Sequence, residues 1–225
     1  ELIASSFAEQ KEVREVMLFL QTYGITTTYA IKIYKLYGAN TISLIKENPY
    51  RLASEVTGIG FKTADRIARN MGVDIDSPYR VAAGTKYVLS QAVNDGHTYL
   101  PKEELVQKAS ALLGVTGELV ENAIVSMAVN QQIHVEETED HTAVYLPPFY
   151  YAENGVCSAL IQLAMIDVDI PAKDVNKFLR EFQKREGVIL AEKQREAVVE
   201  ALNNGVLIIT GGPGTGKTTT INCII

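Results

Sequence analysis

Apolar residues recur at steps of three and four through most of the first 130 positions, the spacing of helices that bury one face. Val13, Val16, Met17 and Leu20 predict a helix over 8–20, which Tyr23-Gly24-Ile25 interrupts. Thr26, Thr27 and Thr28 supply capping hydroxyls for a second helix carrying Ala30, Ile31, Ile33, Tyr34 and Tyr37, closed by Gly38. A related arrangement follows. Ile42, Leu44 and Ile45 predict a short helix, Asn48-Pro49 restarts the chain into Tyr50-Arg51-Leu52-Ala53, and Gly58-Ile59-Gly60 separates that piece from a helix running to Gly72.

Asp76-Ser77-Pro78 is a helix start, and the helix over 81–93 closes at Asn94-Asp95-Gly96. Beyond it the pattern predicts a short extended piece at Tyr99-Leu100, helices over 102–113 and 118–130, and two strands, 133–136 and 143–146, around a turn at 138–141. Helices followed by a two-stranded wing resemble a winged-helix fold. Pro147-Pro148 reads as a stiff joint. Helices follow from Phe149-Tyr150-Tyr151 to Ala164 and, after Pro171, through Val175, Phe178, Leu179 and Phe182, the latter leading through Gly187-Val188 into the piece from Leu190 to Val198, while residues 206–210 suit a buried parallel strand. The fold class expected is mainly α: a tandem pair of helical hairpins (1–77), a winged-helix-like segment (78–148), and the start of a P-loop α/β domain (149–225).

The chemistry concentrates at the end of that strand. Gly211, Gly212, Pro213, Gly214, Thr215, Gly216, Lys217 and Thr218 form a complete P-loop. Its glycines let successive backbone N–H groups converge on phosphate oxygens, Lys217 reaches the β- and γ-phosphates, and the Thr218 hydroxyl is the expected ligand for Mg²⁺. Thr219 continues into the helix whose positive end faces the nucleotide. Lys217 and Thr218 are therefore the candidate catalytic residues. Upstream, Gln194 offers a donor and an acceptor on one amide, which matches the N6/N7 edge of adenine.

A second site lies at Gly58-Ile59-Gly60. Two glycines around one apolar residue make a tight hairpin whose free amides open the next helix, with Ile59 plugging the core. Lys62, Thr63 and Arg66 sit on that helix start, beside Arg69. The anion this geometry suits is a nucleic-acid backbone phosphate. Charge along the chain is patchy: residues 24–86 hold nine bases against five acids, and 96–141 two bases against eight acids, within a net charge of −6. Nucleic-acid contact must then come from a local patch. The presumed recognition helix over 118–130 has no Lys or Arg, which favours a structural or domain-contact role for it.

Cys157 and Cys223 are far apart and outside any C-x-x-C arrangement, so two free thiols in a reducing, cytoplasmic compartment are expected. His97, His134 and His141 lack zinc spacing. No apolar run approaches the about 20 residues of a membrane span. The chain starts with Glu1 and stops seven residues after Thr218, and reads as a fragment.

Residues 57–68 resemble the G-h-G-x-x-x-A core of helix-hairpin-helix modules, which hold DNA backbone without reading sequence; Tyr23-Gly24-Ile25 looks like a degenerate copy, mainly structural. The order of parts, from tandem hairpins through a winged-helix-like segment and Leu190-x-x-x-Gln194-Arg195-x-Ala197-Val198 to the P-loop, resembles the bacterial RecD-like helicases of superfamily one. That resemblance implies an ATP- and Mg²⁺-dependent motor, moving 5′ to 3′ on single-stranded or forked DNA in repair or recombination, with Gln194 on adenine; separately from the resemblance, a monomer is expected. The carboxylates that orient the attacking water, an arginine finger and the second motor lobe have no counterpart in these residues, so the chain alone is expected to be inactive, and residues beyond about 205 to be disordered or packed in a non-native way. The alternatives are a helix-hairpin-helix DNA-binding scaffold with a nucleotide-sensing P-loop and, less consistent with Gln194, a P-loop kinase or transport ATPase.

Overall fold

Residues 2–166 and 172–225 are described in the computed structural model, and they divide into two units, Glu1–Tyr150 and Tyr151–Ile225. Helix α1 (Leu2–Thr22) stops where Gly24 turns left-handed, with φ +80°. The Gly24 N–H then donates to the Gln21 carbonyl and the Ile25 N–H to the Leu20 carbonyl, both at 3.0 Å, which satisfies two of the helix's last carbonyls. Helix α2 (Thr27–Tyr37), a 3₁₀ turn (Gly38–Asn40), α3 (Thr41–Glu47), α4 (Arg51–Glu55) and α5 (Phe61–Asn70) complete the first half of the unit.

The two halves of this region share a register. Gly24, Ile25, Ala30 and Ile33 of the first copy fall at the same spacing as Gly58, Ile59, Ala64 and Ile67 of the second, and all six apolar residues among them are buried. Each pair of turn and helix therefore buries the same side-chain types at the same positions, one alanine between two isoleucines.

Helix α6 (Pro78–Asn94) begins with proline at its first position, where the missing N–H is no loss. Strand β1 (Tyr99–Pro101), α7 (Lys102–Leu113), α8 (Gly117–Val129), β2 (His134–Glu137) and β3 (Thr142–Tyr145) follow. The sheet has three antiparallel strands in the order β1-β3-β2, not the two-stranded wing the sequence suggests. Three residues at β1 carry too short a pattern to announce a strand, but Leu100 pairs with Val144, and Val144 with Val135. One core runs from Val16 through Leu52, Ile67 and Leu89 to Leu105, Ile124 and Val144, unbroken across position 78. No single helix among the described residues is long and apolar enough to cross a membrane.

Pro147 and Pro148, the expected joint, lie just before the division between the two units at Tyr150 and Tyr151. They form the first turn of α9 (Pro147–Ala164), where two prolines cost no helical hydrogen bond. The second unit contains α10 (Ala172–Glu186), α11 (Glu192–Asn203) and α12 (Lys217–Ile224), around Val175, Leu179, Phe182, Leu190, Val198 and Cys223. Residues 206–210 form no strand, and Ile208 is 83% exposed, contrary to the buried strand expected there. A lone strand has no ladder to complete, and among the described residues of this unit nothing pairs with it along its length. Beyond the P-loop, α12 is nevertheless packed against its unit's core, with Thr220 and Cys223 buried.

Candidate nucleotide site and nucleic-acid interface

The P-loop connects an extended segment to α12, and Gly214 and Gly216 both lie in the left-handed region, with φ +76° and +77°. Those two residues curl the backbone so that its amides can face one concavity. Lys217, the first residue of α12, reaches back across the loop, and its ammonium donates to the Gly211 and Gly212 carbonyls at 2.6 and 2.7 Å. The Thr215 hydroxyl donates to the Gly212 carbonyl at 2.9 Å. The loop thus holds a closed ring of internal hydrogen bonds in which carbonyl oxygens take the lysine's charge. Phosphate oxygens are stronger partners for the same ammonium.

Gln194 lies in the first turn of α11, and the structure joins it to this loop. Its Oε1 accepts from the Ala191 N–H at 2.9 Å, capping the helix start, while its Nε2 donates to the Thr215 carbonyl at 3.1 Å. One N–H and one lone pair of the amide remain. That remainder is one donor and one acceptor, the complement of the adenine N6/N7 edge. Gly216 is required for its positive φ, and a Cβ there would also push aside the end of the Gln194 side chain. Sequence reasoning placed Gln194 near the nucleotide but missed this brace, for which the chain offers no local signal.

Pro213 and Thr218 are exposed and Thr219 is half-buried, so the Thr218 hydroxyl is free to face a ligand. Among the described residues no group of three His, Cys, Asp or Glu side chains could hold a metal ion. The donor set fits Mg²⁺ only as a nucleotide-borne ion, held by phosphates and by Thr218.

The hairpin in the first unit is built as its glycines require. Gly58 has φ +96°, Ile59 is buried, and Gly60 caps α5 in extended conformation, with φ −91°. The Thr63 and Ala64 N–H groups both return to the Gly60 carbonyl, leaving the amides of Gly60, Phe61 and Lys62 at the helix opening. Lys62 and Arg66 are exposed, with no carboxylate within ion-pair distance among the described residues, and Thr63 is half-buried. Arg69 instead sits 3.6 Å from Asp65. Its charge is shared with that carboxylate.

Contacts between the two copies were invisible in the sequence. The Tyr29 hydroxyl donates to the Gly58 carbonyl at 2.8 Å, Lys32 Nζ lies 3.4 Å from the Thr57 carbonyl, and the Asn70 amide lies 3.4 Å from the Tyr23 carbonyl. Each copy's helix grips the other copy's hairpin. Behind them Asp65 accepts from Arg80 Nε at 2.7 Å and from the Tyr50 hydroxyl at 2.8 Å, and Arg80 also donates to the Ile75 and Leu113 carbonyls. Arg80 is 2% exposed, one of the nine bases of this stretch and no part of its surface.

Residues 9–99 match the family described as the ATP-dependent RecD2 DNA helicase HHH domain, and residues 194–225 match an AAA domain family. The chain is 26% identical over 232 aligned residues to the ATP-dependent RecD2 DNA helicase of Deinococcus radiodurans, an alignment that covers 99% of this chain and 32% of that protein. It is 35% identical over 83 residues to the RecBCD enzyme subunit RecD of Mycobacterium tuberculosis, covering 36% of this chain and 13% of that one. It thus spans about a third of the length of the first relative.

Proposed function

We propose that this chain, RecD-like along almost its whole length, is the DNA-gripping and adenine-recognising part of an ATP-dependent DNA helicase. ATP binds with its phosphates in the loop at 211–218, Mg²⁺ is carried with the nucleotide and held by Thr218, and the hairpin at Gly58-Ile59-Gly60, with Lys62, Thr63 and Arg66, holds the phosphodiester backbone. The motor acts as a monomer in the cytoplasm, translocates 5′ to 3′ on single-stranded or forked DNA, and serves repair or recombination. These 225 residues bind nucleotide without turning it over; DNA-stimulated ATP hydrolysis by them alone would overturn that part.

The observation that carries this reading is Gln194. Its amide is anchored to the P-loop through the Thr215 carbonyl and keeps one donor and one acceptor for a base, which a phosphate-sensing loop without base selection would not need. Bound nucleotide displaces Lys217 from the Gly211 and Gly212 carbonyls, and the loop reports occupancy to α11 through the same glutamine. The test is competitive binding of ATP and GTP to the chain. Wild type is expected to prefer ATP, and Gln194→Ala to lose roughly tenfold or more of that preference, because a bidentate amide–adenine pair is worth about 1–3 kcal/mol. Equal preference in the two proteins removes Gln194 from the base and favours the scaffold reading.

A further inference from the structure

The first hairpin copy, which the sequence suggests is mainly structural, carries cations where the second copy does. Counting from Gly24 and Gly58, Lys32 and Lys35 fall at the same positions as Arg66 and Arg69. Arg66 is exposed with no carboxylate within ion-pair distance among the described residues, and so are Lys32 and Lys35.

Lys32 and Lys35 also line a cleft of about 310 Å³ together with Leu36, Glu55, Val56 and Thr57. Thr57 is the residue before the Gly58 hairpin, and Lys32 already leans on its carbonyl and over the Tyr29 ring, 5.5 Å from the centroid. The one acid in the cleft is occupied. Glu55 pairs with Arg51 at 3.2 Å and accepts from the Tyr37 hydroxyl at 2.9 Å, so its charge is shared with Arg51.

We propose that this cleft is a second backbone-phosphate site, continuous with the Gly58-Ile59-Gly60 hairpin, so that the nucleic-acid strand is held by both hairpin copies and not by the second alone. Tyr29 is its positioning residue. By holding the Gly58 carbonyl it fixes the hairpin against α2 and keeps the two sites in register. The inference rests on the hairpin reading above and extends the track onto the first copy.

The test is the salt dependence of single-stranded DNA binding by the full chain, between about 50 and 200 mM salt, where each phosphate contact contributes about 0.7 to the slope of log affinity against log salt. Lys32→Gln with Lys35→Gln is expected to lower the slope by about 1.4, Lys32→Arg with Lys35→Arg to leave it unchanged, and Lys108→Gln, on the acidic side of the unit, to leave it unchanged. Lys62→Gln with Arg66→Gln supplies the comparison. If that pair lowers the slope while the Lys32 and Lys35 pair does not, the second site is overturned and the hairpin stands. If neither pair changes it, the hairpin reading fails and the inference with it. All substituted residues are exposed, and an unchanged thermal unfolding curve for each variant separates lost binding from lost fold.

Discussion

Gly58 and Gly60 look equivalent in the sequence and are not equivalent in the structure. Gly58 holds φ +96°, and a Cβ there would lie 3.0 Å from the Tyr29 hydroxyl, whereas Gly60 has ordinary extended backbone and open space around it. Gly58→Ala is therefore expected to lower unfolding free energy by about 1–3 kcal/mol in urea titration. Gly60→Ser, which puts a good N-cap residue at the start of α5, is expected to stay within about 0.5 kcal/mol of wild type. The same serine adds atoms where a phosphate would approach the free amides, so its DNA affinity should fall while its stability does not. Equal stability losses in the two variants would show that Gly60, too, is held by packing. The glycine pair was legible as a hairpin because left-handed turns select glycine. Which glycine serves the turn and which the ligand depends on Tyr29, 29 residues away from Gly58.

Helices α4, α5, α6 and α7 meet at Asp65 and Arg80. One guanidinium satisfies a carboxylate on α5 and the carbonyls of Ile75 and Leu113, the latter at the end of α7, while Tyr50, the residue before α4, donates to the same carboxylate. Removing one partner strands the other in a site already taken from water. Arg80→Met is expected to cost about 3–5 kcal/mol in chemical unfolding. Arg80→Lys should recover only part of it, because an ammonium cannot reproduce the guanidinium fork. A full rescue by lysine would mean that charge alone, without the fork, holds these helices. The helices themselves were readable from three- and four-residue spacing. Arg80 was not, because a basic residue in the first turn of an amphipathic helix has the same local pattern whether it faces water or a buried carboxylate.

Across the molecule, alkaline pH tests the buried phenols together. Burial and the adjacent Glu55 push Tyr37 up to about 12 from an ordinary 10, and burial with Asp65 pushes Tyr50 upward as well. A folded-state pKa above the unfolded value means that the neutral phenol favours the fold, so this contribution is complete below pH 10 and is lost as pH rises from 10 toward 12. Lys86 works in the opposite sense. Burial lowers its pKa from 10.5, so stability is regained as pH rises toward that value. Thermal midpoints should accordingly fall above pH 10, and Tyr37→Phe should fall less steeply; an identical slope in the variant would place the loss elsewhere. The sequence by itself determined the helical class, both hairpins, the P-loop and the glutamine upstream of it, because each depends on residue type at short fixed spacing. Only the tertiary structure decided that β1 completes a third strand, that residues 206–210 stand outside any sheet, that Arg80 is a core residue, that Gln194 braces the P-loop, and that each hairpin copy grips the other. Those outcomes depend on pairing between positions distant along the chain, where burial and available partners select among local patterns that are otherwise identical.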